Sequence, residues 1–320
     1  MPASNAARPS TDLSLARAAA IGGLALLLSG CATGPDDGDS SETTVGETTA
    51  GETTAGDACA ADATDLLGAD PFFAGWKGEL VFRGFTGYSS LAGAFLDGPA
   101  VGLHVESQRT GQCRLMTYTP TLCEPSCTGD QLCQNAICVD QPRRLAGGTL
   151  TLSGPITPAL VAAPDGIDGY FVESTAALDR GAPLRLEGTD GADVPAFVAT
   201  TCPVAEATAD GDWAALLAAR KPGADVTLQW QNPDPQARIR LNMTTGVATH
   251  GGIAHAEIEC EGPDTGALTL PGSFLDTLYA EGWACGECGN NDLIRYRSAM
   301  IGASGTAFTN EAVTSFFFIP

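Results

Sequence analysis

The stretch ARIRLNM (237–243) alternates apolar and polar side chains residue by residue. In an extended chain successive side chains point to opposite sides, so Ile239, Leu241 and Met243 share one face and Arg238, Arg240 and Asn242 the other. A helix would scatter the same residues around its circumference. Outward from this run, short β-favouring stretches recur between Gly, Pro and Asp clusters: ELVFR (79–83), VGLHV (101–105), RLMTY (114–118), TLTLS (149–153), LRLE (184–187), FVATT (197–201), DVTLQW (225–230), AEIEC (256–260), ALTL (267–270), LIRYR (293–297) and VTSFFFI (313–319). Many short strands separated by turn residues predict a mainly β chain: an antiparallel β-sandwich of one or two immunoglobulin-like units.

Helical signals are few. DWAALLAAR (212–220) offers Asp212 as an N-cap and stops at Lys221-Pro222-Gly223, and GSFLDTLYAEG (272–282) offers Ser273 as a cap and ends on glycine. One or two short helices argue against a doubly wound sheet.

The N-terminus carries an address. Arg8 and Arg17 precede an uncharged run (18–28) that matches a signal-peptide core in length and is too short to span a bilayer. It leads into Leu28-Ser29-Gly30-Cys31, which resembles the lipobox of bacterial lipoproteins. That resemblance implies removal of 1–30, acylation of Cys31 and, with Ala32 next, sorting to the outer membrane on the extracytoplasmic side. More than one acyl chain is needed for stable anchoring, at ~0.8 kcal/mol per buried CH₂. Residues 31–57 then hold tandem Glu-Thr-Thr repeats with few large apolar groups, so the segment reads as a solvated tether with an r.m.s. reach of ~25–30 Å. The β domain is expected over 58–122 and 139–320, the latter with room for a second unit, interrupted by a Cys-rich insertion at 123–138.

The net charge of −22 leaves no basic face to displace phosphate counterions and excludes nucleic acid as a partner. Of the eleven cysteines, ten remain once Cys31 is set aside: Cys59, Cys113, Cys123, Cys127, Cys133, Cys138, Cys202, Cys260, Cys285 and Cys288. An even count in an exported chain reads as a disulfide framework. CEPSCTGDQLCQNAIC (123–138) is too small for a hydrophobic core, and among its three connectivities the interlaced Cys123–Cys133 with Cys127–Cys138 is the expected one. The competing reading is a Cys₄ zinc knuckle, which needs thiolates and hence a reducing compartment. The order CRL (113–115), Cys module, GGTLTLSG (147–154), YF (170–171), RGAPLRLEGTDGADVPAF (180–197) and DVTLQW resembles secreted lipoproteins of myxobacterial type. The resemblance implies location and β architecture and brings no activity.

Other candidate chemistry is thinner. GWACGEC (282–288) has a C-x-x-C pair, but the pair follows a predicted helix and precedes a turn, so Cys285 and Cys288 read as a structural bridge for which Cys260 competes. His250 and His255 with Glu257 and Glu259 are weak metal-ligand candidates, the last three sharing a face if AEIEC is a strand. PDGIDG (164–169), GTDGAD (188–193) and ADGD (209–212) pair carboxylates with glycines, as calcium loops do, yet Asp-Gly is also a common hairpin turn. There is no G-x-S-x-G, H-E-x-x-H or P-loop, and His104 falls in the expected strand 101–105. Two glycosidase carboxylates leave no sequence signature. Trp76, Trp213, Trp230 and Trp283 are the residues for a sugar-stacking platform, although Trp230 reads better as core. The sequence therefore describes a lipid-anchored, non-catalytic binding or structural module that holds no cofactor and engages the membrane, with a surface protein or glycan as its partner. The alternative is an extracytoplasmic enzyme or metal-binding protein, directed at glycans or using Cys285 and Cys288.

Overall fold

The computed structural model describes residues 76–85, 87–119, 122–154, 156–175, 182–244, 254–281 and 291–316. Cys31, Cys59, His250, Trp283, Cys285 and Cys288 lie outside the described residues, as do the signal and tether segments. The chain is mainly β. Numbered in chain order, the largest sheet runs in space β10 (Gly169–Ser174), β2 (Tyr88–Leu96), β1 (Gly78–Phe85), β19 (Thr306–Phe316), β18 (Asn291–Ile301), β15 (Arg238–Thr244), β16 (Ala256–Pro263), β4 (Cys113–Thr117), β3 (Val105–Thr110), with β7 (Arg144–Leu145) beside β2. Its neighbours pair antiparallel except β1 and β19, which run parallel from Glu79↔Ala307 to Arg83↔Glu311.

Two smaller sheets lie against one face of this large one, and each encloses its own core. The first is β12 (Phe197–Thr201), β11 (Leu184–Gly188), β8 (Leu150–Ser153) and β9 (Leu160–Ala162). Its Leu150, Leu152, Leu184 and Leu186 pack against Leu80, Phe82, Leu91, Phe95 and Phe308. The second is β13 (Thr208–Ala209), β14 (Val226–Gln231) and β17 (Ala267–Leu270). Its Leu228, Trp230 and Leu270 meet Ile239, Leu241, Met243, Ile258 and Leu293. Two helices complete this core: α1 (Trp213–Ala218) contributes Trp213 and Leu217, and α2 (Gly272–Ala280) contributes Phe274, Leu275 and Leu278. Full burial of each such side chain contributes ~1.5–3 kcal/mol. One continuous sheet thus roofs two sandwich cores.

Local chemistry fixes the elements. Asp212 caps α1, its Oδ1 accepting from the Ala215 amide at 3.0 Å. The cap expected at Ser273 is instead Pro271: Ser273 lies within α2, and the Gly272 amide donates to Asp225 Oδ1 at 2.8 Å. VGLHV also departs from expectation, because residues 101–104 are not strand and β3 begins only at Val105. His104 is drawn away instead, its Nε2 lying 2.7 Å from the Ala254 carbonyl oxygen.

Between the two cores the connector from β12 to β13 runs under the large sheet and is held by sheet side chains. Asn310 Nδ2 donates to the Cys202 carbonyl at 3.0 Å, and Thr314 Oγ1 to that of Ala207 at 2.7 Å. Arg295 Nη1 donates to Ala205 at 3.0 Å and Glu206 at 3.3 Å, and its Nη2 to Asn232 at 2.9 Å. Arg295 Nε also stands 2.7 Å from Asp264 Oδ2, with both side chains almost wholly buried. Asp264 in turn accepts from Trp230 Nε1 at 2.7 Å and from the Asp234 amide at 2.8 Å. Carbonyls of the connector that no strand partner satisfies thereby find side-chain donors.

Candidate functional site: a charged cluster and a cross-linked module

The alternation in 237–243 that aims Ile239, Leu241 and Met243 at a core aims Arg238, Arg240 and Asn242 at the opposite face of the large sheet. There Arg238 and Arg240 meet Glu261 from β16, Tyr296 from β18, Glu311 from β19, and Glu79 and Arg83 from β1. Arg238 Nε donates to Tyr296 Oη at 3.0 Å and lies 3.3 Å from Glu261 Oε1, while the Tyr296 hydroxyl donates to Glu261. Arg240 Nε lies 3.6 Å from Glu261 Oε2 and its Nη1 3.9 Å from Glu311 Oε1, with the guanidinium 5.3 Å from the Tyr296 ring centre. Arg83 Nε closes the row, 2.9 Å from Glu311 Oε2. Glu261, Tyr296 and Glu311 are buried.

This setting shifts protonation. Burial pushes the Tyr296 hydroxyl well above the usual phenol range, and Glu261 adds to that. Burial alone would lower Arg240, but Glu79, Glu311 and Glu261 outweigh it and lock the guanidinium in its charged form. The Glu79 carboxyl is raised, first by burial; Arg240 pulls it down, Glu311 pushes it up and a Thr309 hydrogen bond lowers it. A carboxyl raised in the folded state binds more protons folded than unfolded. Its stabilising contribution is full below the unfolded value near 4.5 and is lost as pH rises through the folded one. Glu79→Gln is therefore expected to gain stability relative to wild type as pH is raised from 4.5 to neutral. Urea unfolding across that range reads the difference, and parallel pH profiles contradict it.

The metal candidates His255, Glu257 and Glu259 are not brought together. His255 Nδ1 faces Glu281 at 3.4 Å, Glu257 Oε2 faces His104 Nδ1 at 3.9 Å, and Glu259 accepts from Arg114 Nη2 at 2.5 Å. Carboxylates of the calcium-like loops are occupied with backbone amides. Asp165 Oδ1 accepts from Gly169 at 2.7 Å and Ile167 at 2.9 Å, and these bonds hold it below the usual carboxylate range. Asp193 accepts from Ala146 at 2.8 Å and is lowered for the same reason, while Asp190 takes the Ala196 amide. Trp213 and Trp230 are core side chains whose indole N–H groups donate to Gln229 O and Asp264, so they build no sugar platform.

Three disulfides are seen among the described cysteines. Cys113–Cys260 joins register partners of β4 and β16, so Cys260 is not a partner for Cys285 or Cys288. Cys123–Cys133 and Cys127–Cys138 tie the loop at 123–127 to the hairpin of β5 (Gln131–Gln134) and β6 (Ile137–Asp140). Cys202 is also disulfide-bonded. The hairpin turns on Asn135 and Ala136, both at positive φ, and leaves Ile137 exposed. Among the described residues no helix is long and apolar enough to cross a membrane. Compared with protein-family models, curated proteins and solved structures, the chain matches none of them.

No local spacing announces the charged cluster. Its members come from five strands, and only the alternation within 237–243 points to the face they share.

Proposed function

We propose that this chain is an exported lipoprotein, held at the outer membrane through Cys31, whose β domain is a non-catalytic binding or structural module directed at a surface protein or glycan. The observation that supports it best is the closure of the charged cluster on itself. Arg240 faces three carboxylates, Tyr296 is kept protonated, and Arg83 and Arg238 pair with two of the same acids, Glu311 and Glu261. Such a network specifies packing more than it offers reactive groups. A tether ending in a disulfide-stapled, two-core scaffold holds its loops at a distance from the lipid, where recognition takes place.

A second reading, glycan hydrolysis, has one feature in its favour: a raised Glu79 near two other carboxylates resembles the split roles of a glycosidase pair. Against it stands Arg240, which faces all three acids where a sugar would have to sit.

The anchoring part is tested with Cys31→Ala expressed in a Gram-negative host. Wild type is expected in the detergent-extracted membrane fraction with acyl groups on its first residue, and the variant without them and released by washing. Identical partition of both contradicts the proposal.

A further inference from the structure

We propose that the four cysteines of the stapled module form a second, metal-binding state: on reduction, Cys123, Cys127, Cys133 and Cys138 become a tetrathiolate site for a soft divalent cation, Zn²⁺ being the natural occupant. The geometry is already assembled. The sulfurs of Cys123, Cys127 and Cys138 lie within 4.8 Å of one another, and the fourth, that of Cys133, is bonded to Cys123. A tetrahedral zinc with Zn–S near 2.3 Å needs its sulfurs about 3.8 Å apart, a small rearrangement from this cluster.

The backbone supplies the ligands in the way zinc modules do. Cys133 and Cys138 are direct cross-strand partners on the β5–β6 hairpin, so both project from one face of it. Cys123 and Cys127 come from the adjoining loop. The separations Cys-x₃-Cys and Cys-x₄-Cys fall within the range of structural zinc pairs. Each disulfide crosses between the hairpin and the loop, not within either, so breaking both leaves four sulfurs converging from two sides. Cα–Cα distances of 5.7 and 5.4 Å across the bridges keep the pairs close without further backbone movement.

The chemistry balances. Each disulfide takes two electrons and two protons from a thiol reductant, which is itself oxidised to a disulfide, and yields two thiols. One Zn²⁺ then displaces the protons of all four thiols as the thiolates bind. Because the module has no apolar core, it needs either its bridges or a metal to hold shape. Access favours this pair of bridges over the buried one: Cys127, Cys133 and Cys138 are half-buried, whereas Cys113 and Cys260 are 1% and 0% exposed.

The test uses the full chain, reduced with a water-soluble phosphine, desalted without oxygen and titrated with Co²⁺. The expected result is about one cobalt per chain, with thiolate charge-transfer absorption and the visible bands of a tetrahedral site, both abolished by added Zn²⁺. The unreduced chain is expected to take up none. Cys127→Ser/Cys138→Ser keeps Cys123–Cys133 and Cys113–Cys260 for folding, and after reduction is expected to lose this uptake. No cobalt bound by the reduced wild type, or equal binding by the variant, overturns the assignment.

Discussion

Replacing the Cys113–Cys260 bridge by alanines is expected to lower unfolding free energy by about 5 kcal/mol, the value the chain-entropy relation gives for a closed loop of 147 residues. The bridge ties β4 to β16 and so holds the β4–β3 end of the large sheet to its centre. Without it, the unfolded chain regains the freedom of everything between the two strands, including the stapled module. Both half-cystines are also core residues, packed with Leu115, Ile258 and Leu241, so truncation removes apolar contacts as well. The short bridges of the module enclose separations of only 10 and 11 residues and are each expected to contribute about 3 kcal/mol by the same relation. Urea denaturation of Cys113→Ala/Cys260→Ala measures the effect. A loss below about 2 kcal/mol would mean that the unfolded chain gains little from the bridge's removal.

Arg295→Ala is expected to cost about 3–5 kcal/mol, because it strands a buried carboxylate and three carbonyls together. Asp264 would lose its cation in a site where its own side chain is fully buried. The carbonyls of Ala205, Glu206 and Asn232 would lose their donor. Most of that penalty is the desolvated partner left behind, so Arg295→Met is expected to be nearly as damaging although it restores volume. The double change Arg295→Met/Asp264→Asn should recover part of the loss, since no unpaired charge then remains. A cost under about 1 kcal/mol for Arg295→Ala would be typical of a surface ion pair and would contradict this placement.

The sheet-forming parts of the chain were legible where alternation is clean. Ile239, Leu241 and Met243 are at most 1% exposed, and ALTL, LRLE and DVTLQW all form strands that feed the cores. The same alternation does not say what the other face meets. Arg238 is buried because β15 is a central strand whose far side carries a charged network. β2 escaped notice because YSSLAGAFL mixes small residues into the strand. Its Gly93 is required by close approach: a Cβ there would lie 1.9 Å from the Glu79 carbonyl oxygen, at positive φ. The parallel pairing of β1 with β19 joins segments more than two hundred residues apart, and no local pattern encodes such a contact.

Functional groups divide in the same way. Cysteine spacing was readable because a small module without a core has few ways to be held together. The Glu79, Arg240, Glu261 and Glu311 cluster was not, since each member is an ordinary polar residue on its own strand and acquires meaning only from its neighbours across the sheet. His255, Glu257 and Glu259 show the converse: one short run suggested a common site, and the fold gave each a different partner.

One sheet and the Arg295–Asp264 junction weld the two cores into a single cooperative unit that presents its loops. Hydrogen exchange read by mass spectrometry on wild type and Arg295→Ala tests this most directly, comparing peptides from β2, β8 and β11 with peptides from β14, β15 and β17. Slow amides in both cores are expected to open with one free energy, and the variant to lower it equally on both sides. Faster exchange confined to the strands of one core, with the other unchanged, would contradict it.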